Sequence, residues 1–273
     1  ASAFNELRGR GMAEKKINAD EILANVAANG ALRYEIDLLN GTLRATDAAD
    51  HARAMEALEA IGRFDLAPRR HAELALPWAD EVLAEAGIAK SQLDAIAVGR
   101  GPGAFTGVRL AIAVAQGIAL ALDRPVLPVS TLAALAMRAD AGADGDRILA
   151  SIDARMGEVY LGAFSRRGDD LVALDDEVVV KPDDATIPEG DSWHGVGTGF
   201  AAAEAALSLR LHGRLATVDA AALPHAADVA RLAALAFARG EAVAAERIEP
   251  AYLRNNVALT LAEQQALRAK GGR

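Results

Sequence analysis

Short apolar runs of strand length alternate with longer runs of helical periodicity along most of this 273-residue chain, and that alternation predicts an α/β fold. Two further features point the same way. Turn-forming pairs or glycines close several of the runs, as at Asn29-Gly30, Asn40-Gly41 and Gly87. A glycine-rich loop, 99–107, joins an apolar strand directly to an apolar helix. The length allows one large domain or two modest ones with a real core.

Residues 13–29 read as a helix, with Asn18 or Asp20 near its start and Asn29-Gly30 at its end. Leu32–Leu38 alternates apolar and polar, Asn40-Gly41 follows, and Thr42-Leu43-Arg44 resumes the alternation, which predicts a hairpin with a tight primed turn. Residues 47–61 read as a second helix, capped by Thr46 or Asp47. His71–Ala86 is helical in pattern and ends at Gly87, and Pro77 either kinks it or marks its start. Leu93–Val98 is a short strand. Thr106–Leu122 is a helix apolar on nearly every face, so it should be buried or covered by a partner. Val126–Val129 is a strand, and Ser130 caps a helix reaching about Ala139. After the loop Ala141–Asp146 a second unit begins. It holds strands at Ile148–Ile152, Glu158–Phe164 and Leu171–Val180, with a turn at Asp153–Gly157. A strand end and glycine turn at Trp193–Gly199 lead into a helix through Leu209, another helix covers 225–239, and the tail after Pro250 ends in a helix.

The chain has no cysteine, which removes disulfides, thiolate metal sites and cysteine nucleophiles. Its net charge of −9 opposes a broad phosphate-gripping face, although a local basic patch is compatible with it. No signal peptide is read in residues 1–30, and the apolar run Leu110–Leu122 is read as too short to span a bilayer, so the expected location is cytoplasmic.

Ala95–Arg109 carries the strongest signal. Gly99, Gly101 and Gly103 permit positive φ and close backbone approach, and the helix that follows aims its first amides into the loop. The loop is therefore either an anion cradle or a tight structural turn. A Walker loop would end in Gly-Lys-Ser/Thr, whereas here the helix opens Thr106-Gly107-Val108. A dinucleotide fold would place glycine where Thr106 stands, and Asp123 precedes the next strand instead of ending it. Both phosphate readings fail.

Gly101-Pro-Gly-Ala-Phe-Thr-Gly-Val-Arg109 resembles the Gly-Pro-Gly-Ser-Phe-Thr-Gly-Leu-Arg signature of the TsaB family, also called YeaZ. Similar segments run on both sides in the same order: Arg70–Pro77, Gln116–Leu120, Pro125–Ala133, Ile152–Tyr160, the Gly195–Gly199 turn and Pro250–Arg254. They span Phe64 to Gln265. The resemblance implies an actin-like ATPase (ASKHA) superfamily fold of two related α/β lobes, here 64–140 and 141–273. It also implies a part in threonylcarbamoyl transfer to adenosine-37 of tRNA. The family begins with a strand of the type Leu-Ala-Phe-Asp-Thr-Ser-Thr. Residues 1–63 contain nothing like it, so the first lobe is expected to be incomplete or remodelled, with the 32–43 hairpin replacing one or two strands.

The partners implied are the catalytic paralogue TsaD and the ATP-hydrolysing TsaE, with tRNA reached only through the complex. The TsaD contact would use two early helices, through His71, Leu74, Trp78 and Val82 on the first and Phe105, Thr106, Val108, Arg109, Ile112 and Gln116 on the second. The second helix could also pair with its own copy as a homodimer. No catalytic residue, metal or cofactor of its own is expected, and ATP or ADP would sit at the complex interface. The catalytic paralogue carries two metal-binding histidines where this chain has Val129–Leu135, and the five histidines here show no ligand spacing. The runner-up reading is a nucleotide-binding hydrolase or kinase-like enzyme, with Gly101, Gly103, Thr106 and Gly197 as candidate nucleotide contacts. Ser130 with His225 lacks a nucleophile elbow and better suits a helix cap. No nucleophile–base pair or metal site supports a protease. Asp153 and Glu158 suit turn chemistry, with Arg155 exposed on that turn as a candidate contact.

Overall fold

The computed structural model describes residues 34–37, 42–45, 63–64 and 70–254. The expected helices at 13–29, at 47–61 and after Pro250 lie outside the described residues.

Strands β1 (Tyr34–Asp37) and β2 (Thr42–Ala45) form the expected hairpin, with Asp37 opposite Thr42 and Tyr34 opposite Ala45. The expected Asn40-Gly41 turn lies outside the described residues. The hairpin makes a sheet of two strands and joins neither of the others. The expectation that it completes the first lobe is therefore corrected.

Helix α1 (His71–Ala86) runs unbroken through Pro77 and ends at Gly87, whose φ of 69° closes the last turn. Strands β3 (Ile96–Gly99) and β4 (Val126–Val129) pair in parallel across helix α2 (Phe105–Leu122), a β-α-β crossover. α2 covers one face of this pair, where Ile112, Ala115 and Ala119 pack with Val98 and Val126. Helix α5 (Ala226–Ala238) packs Leu232 and Ala233 against Leu127 and Val129 in a second cluster.

Helix α3 (Thr131–Ala136) leads from β4 into the second sheet. It stops at Ala136, three residues before the expected end. Leu132 and Leu135 are fully buried against Ile148 and Val196. The second sheet holds β5 (Arg147–Arg155), β6 (Glu158–Arg167), β7 (Asp170–Ala173), β8 (Val178–Val180), β9 (Trp193–Val196) and β10 (Leu215–Asp219). Its order is β10-β9-β5-β6-β7, with β8 also on β6. β5, β6 and β7 form an antiparallel meander, while β9 lies parallel to β5 and β10 parallel to β9. Helix α4 (Ala202–Leu211) connects β9 to β10 and buries Leu207 and Leu211 with Trp193 and Phe200. The β9-α4-β10 unit thus repeats the β3-α2-β4 arrangement. Among the described residues the first sheet lacks a meander equivalent to β5-β6-β7.

Two expectations differ in the second sheet. The strand expected over Leu171–Val180 is two short strands, which pair with different stretches of β6, Phe164–Arg167 and Val159–Leu161. Strand β10 was not expected; it is a mostly exposed edge strand with little apolar pattern.

The Gly195–Gly199 turn exists for packing. A Cβ on Gly197 would lie 2.3 Å from the carbonyl oxygen of Ser151, and φ there is +106°. A Cβ on Gly199 would lie 2.0 Å from Ser151 Oγ, and one on Gly195 would lie 2.7 Å from the Phe200 ring. Gly117 on α2 has nothing within 4 Å of the same position. Gly199→Ala should therefore lower the unfolding free energy by about 1–3 kcal/mol through overpacking, whereas Gly117→Ala should raise it by up to about 1 kcal/mol through helix propensity. Urea denaturation of the two variants measures both effects.

Candidate functional site

The glycine-rich loop is tied down on two sides. Arg100 donates its amide to the Val129 carbonyl, the Gly101 carbonyl accepts from Thr131, and the Arg100 carbonyl accepts from Ala251. Gly101 has φ +98°, and a Cβ there or on Gly103 would press within 3.4 Å of the Val108 methyls. Both glycines thus let the loop lie on the first turn of α2. Ala104 supplies no side-chain cap to that helix.

A cleft of about 580 Å³ opens beside the loop. Gly103, Phe105 and Val108 form one wall, Ile152–Arg155 and Tyr160 the opposite wall, and Thr198 and Pro250–Arg254 complete it. Four segments singled out in the sequence therefore meet in one place. Each wall has a local cause. Asp153 Oδ1 accepts the Arg155 amide and Oδ2 pairs with the Arg155 guanidinium, the turn chemistry expected of it. The Asp153 amide donates to Thr198 Oγ1, joining the hairpin to the second glycine turn. A bulge at Asp153/Arg155 and φ values of 65°, 59° and 75° at Arg155, Met156 and Gly157 turn the hairpin tip outward. Arg155 and Met156 are each 85% exposed there. Arg254 reaches back to the Ala154 carbonyl and to Glu158, tying the 250–254 segment to the hairpin. On the loop side, the Arg109 guanidinium lies 3.4 Å above the Phe105 ring and 5.2 Å from that of Tyr252, and its Nε donates to Tyr252 Oη at 2.8 Å. Tyr252 lies in the Pro250–Arg254 segment singled out in the sequence, but its contact with Arg109, 143 residues away, had no local signal.

Ser130 is the helix cap expected, its Oγ accepting from the amides of Leu132 and Ala133. Its own proton goes to Glu177, a contact the sequence did not reveal. Glu177 lines a second cavity of about 740 Å³ together with Arg100, Asp170 and Arg239. Burial pushes the Glu177 carboxyl above the usual glutamate range, and the Ser130 hydrogen bond and the nearby Arg100 charge partly oppose that shift.

The expected partner surface divides. Ile112 is buried in the core, Val108 packs half-buried beside it, and Gln116 Nε2 donates to the Ala245 carbonyl, so these three lie toward the inner side of α2. Phe105, Thr106 and Arg109 are exposed, and the outward line continues through Ala113, Gly117 and Leu120, with Leu120 67% exposed. Leu74, Trp78 and Val82 are half-buried on one side of α1. The side chain of His71 lies outside the described residues. α2 extends five residues ahead of Leu110, and its 18 residues are long and apolar enough to cross a membrane by length and composition alone. The expectation of a run too short to span is corrected. Its place as the crossover helix on β3 and β4 assigns its inner side to a protein core.

The candidate nucleotide contacts fare differently. The tight contacts at Gly101, Gly103 and Gly197 are explained by Val108, Ser151 and Leu135. Thr106 is exposed on the first turn of α2. Among the described residues no three histidine or carboxylate side chains group as metal ligands.

Two α/β units with matching β-α-β crossovers, joined through α3 beside a cleft, define an α/β protein of the actin-like ATPase (ASKHA) type. A family model described as TsaD, tRNA N6-adenosine threonylcarbamoyltransferase, matches residues 65–261. The tRNA threonylcarbamoyladenosine biosynthesis protein TsaB of Escherichia coli is 40% identical over 204 residues, covering 71% of this chain and 85% of that protein. The TsaB protein of Haemophilus influenzae is 37% identical, covering 80% and 95%. A solved structure described as YeaZ from Pseudomonas aeruginosa superposes with a TM-score of 0.61 at 44% identity, covering 70% of this chain and 88% of that one. A second, described as a Pseudomonas aeruginosa protein with similarity to peptidase YEAZ, gives 0.65 at 47% identity with the same coverage. The chain belongs to the TsaB (YeaZ) family.

The raised Glu177 carboxyl makes a stability prediction. A folded-state pKa above the unfolded one means that the fold favours the protonated acid, so the stability due to this group is present at low pH and lost as pH rises past the ordinary glutamate range. Glu177→Gln keeps a partner for Ser130 without the charge. The variant should match the parent near pH 4 and become the more thermally stable of the two toward pH 7. Calorimetric melting across that range reads the difference.

Proposed function

We propose that this chain is the non-catalytic subunit of the complex that transfers threonylcarbamoyl to adenosine-37 of tRNA, and that it docks the catalytic paralogue TsaD through α2 and the neighbouring α1. TsaE joins as the ATP-hydrolysing member, and the assembly works in the cytoplasm. Family membership supports the tRNA-modification role. The outer line of α2 carries the docking part: Thr106, Ala113, Gly117, Leu120 and Ala121 are exposed, and none is charged. Small side chains at Ala113, Gly117 and Ala121 let a partner helix approach closely, and Leu120 supplies apolar area to hide. The exposed side of α1 by contrast carries Glu73, Asp80, Glu81 and Glu85, each ion-paired to Arg70, Lys90 or Arg63, pairs that a partner would have to desolvate. A partner helix therefore gains most by lying along α2.

No reacting group of this chain is required in this reading. The segment that would carry metal-binding histidines in the catalytic paralogue is Val129–Leu135 here, and Ser130 is engaged as a cap and as the donor to Glu177.

Gly117→Arg and Leu120→Asp test the docking face. Both positions point to water in the isolated chain, and arginine is the better helix former, so the melting temperature should hold within a few degrees. Capture of TsaD should fall at least about tenfold, as expected when an apolar contact worth roughly 1.5–3 kcal/mol becomes a buried charge. Threonylcarbamoyl transfer in a reconstituted reaction should fall with it. Unchanged capture and full transfer with both variants would contradict the assignment.

A further inference from the structure

The uncharged face of α2 ends at Arg109, and beyond it the rim of the 580 Å³ cleft presents different chemistry. Three arginines gather there: Arg109, Arg155 and Arg254. The two nearby carboxylates are already engaged, Asp153 with Arg155 at 3.1 Å and Glu158 with Arg254. Arg109 has no carboxylate partner among the described residues. Its Nε donates to Tyr252 Oη, which fixes the guanidinium plane. Two aromatic rings flank it and remain open to solvent, Phe105 at 62% and Tyr252 at 53%. Arg155 stands across the cleft on a tip that Asp153 holds in left-handed backbone, at a position where asparagine or glycine would be easier. With Arg155 and Arg254 paired, Arg109 is the uncompensated charge of this rim, and it stands between two exposed aromatic rings on a chain of net charge −9.

We propose that this rim binds single-stranded RNA directly, taking one unstacked nucleotide of a tRNA loop. The base lies on ring surface of Phe105 or Tyr252 that Arg109 leaves open, and the flanking phosphates meet Arg109 and Arg155. Aromatic faces beside fixed guanidinium groups are what unpaired nucleotides use, since every base offers a flat face and every linkage a phosphate. An acidic protein segment would satisfy the arginines but leave both rings exposed. The proposal rests on the tRNA-modification reading and replaces indirect contact with direct contact.

The test uses the full chain, alone and with TsaD, and a 4-thiouridine-labelled tRNA stem-loop with a single-stranded loop. Ultraviolet crosslinks should fall in peptides containing Phe105 or Tyr252. Phe105→Ala should weaken stem-loop binding by about tenfold, in line with the loss of one stacked base. Arg109→Ala and Arg155→Ala should each lower the slope of log affinity against log salt by roughly one. Leu120→Asp should leave RNA binding by the isolated chain unchanged, which separates this result from failure of the docking face. Crosslinks confined to other surfaces, or none from this chain in either form, would overturn the proposal. It is equally overturned if the rim variants bind RNA like the parent while losing capture of TsaD, because the rim is then a protein interface.

Discussion

One helix with a single charged side chain, Arg109, among 18 residues has no side suited to water, and the rest of the molecule is arranged around that fact. Its inner side is accommodated by β3 and β4, where Ile112, Ala115 and Ala119 join Val98 and Val126. The crossover geometry fixes the helix against the parallel pair, so the outer line through Ala113, Gly117 and Leu120 is presented outward rather than chosen by local folding. An exposed Leu120 gains on the order of 1.5–3 kcal/mol when fully covered. Under the proposed docking, this is the gain that a covering surface would collect.

The glycine-rich loop makes the presentation accurate. Gly101 and Gly103 bring the loop onto Val108 at the helix start, while Arg100 and Gly101 bind it to β4, α3 and Ala251 through backbone hydrogen bonds. The same Pro250–Arg254 segment then reaches the β5–β6 hairpin through Arg254. A short stretch of chain thus links the start of α2 to the tip of the second sheet, with Tyr252 steadying Arg109 between them. The cleft is a consequence of that strap.

Legibility in the sequence followed the range of the interaction. Ser130 as a cap, Asp153 as a turn residue and the β1–β2 hairpin were all readable, because each depends on neighbours within a few positions. The inner assignment of Val108, Ile112 and Gln116 was not readable: a helix apolar all round gives no periodic sign of which side faces the sheet. Tyr252, Glu177 and Arg254 act on segments about fifty to a hundred and fifty positions away, a range at which local pattern carries no information. The Gly195–Gly199 turn was legible as a turn, but its cause, close approach to Ser151 and Phe200, needs the second sheet to be in place. Family resemblance supplied the two-lobed frame and could not show that β1 and β2 stay apart from the first sheet.

The absence of cysteine in the natural sequence makes the central claim directly measurable. Ala113→Cys on the outer line of α2 and Leu209→Cys on α4, where Leu209 is 68% exposed, place single thiols on separate surfaces. Maleimide labelling of each is followed with and without saturating TsaD. If α2 is the docking helix, the paralogue slows labelling at position 113 by at least about an order of magnitude and leaves position 209 unaffected. Equal rates at position 113 in both conditions, with the complex formed, would contradict the account.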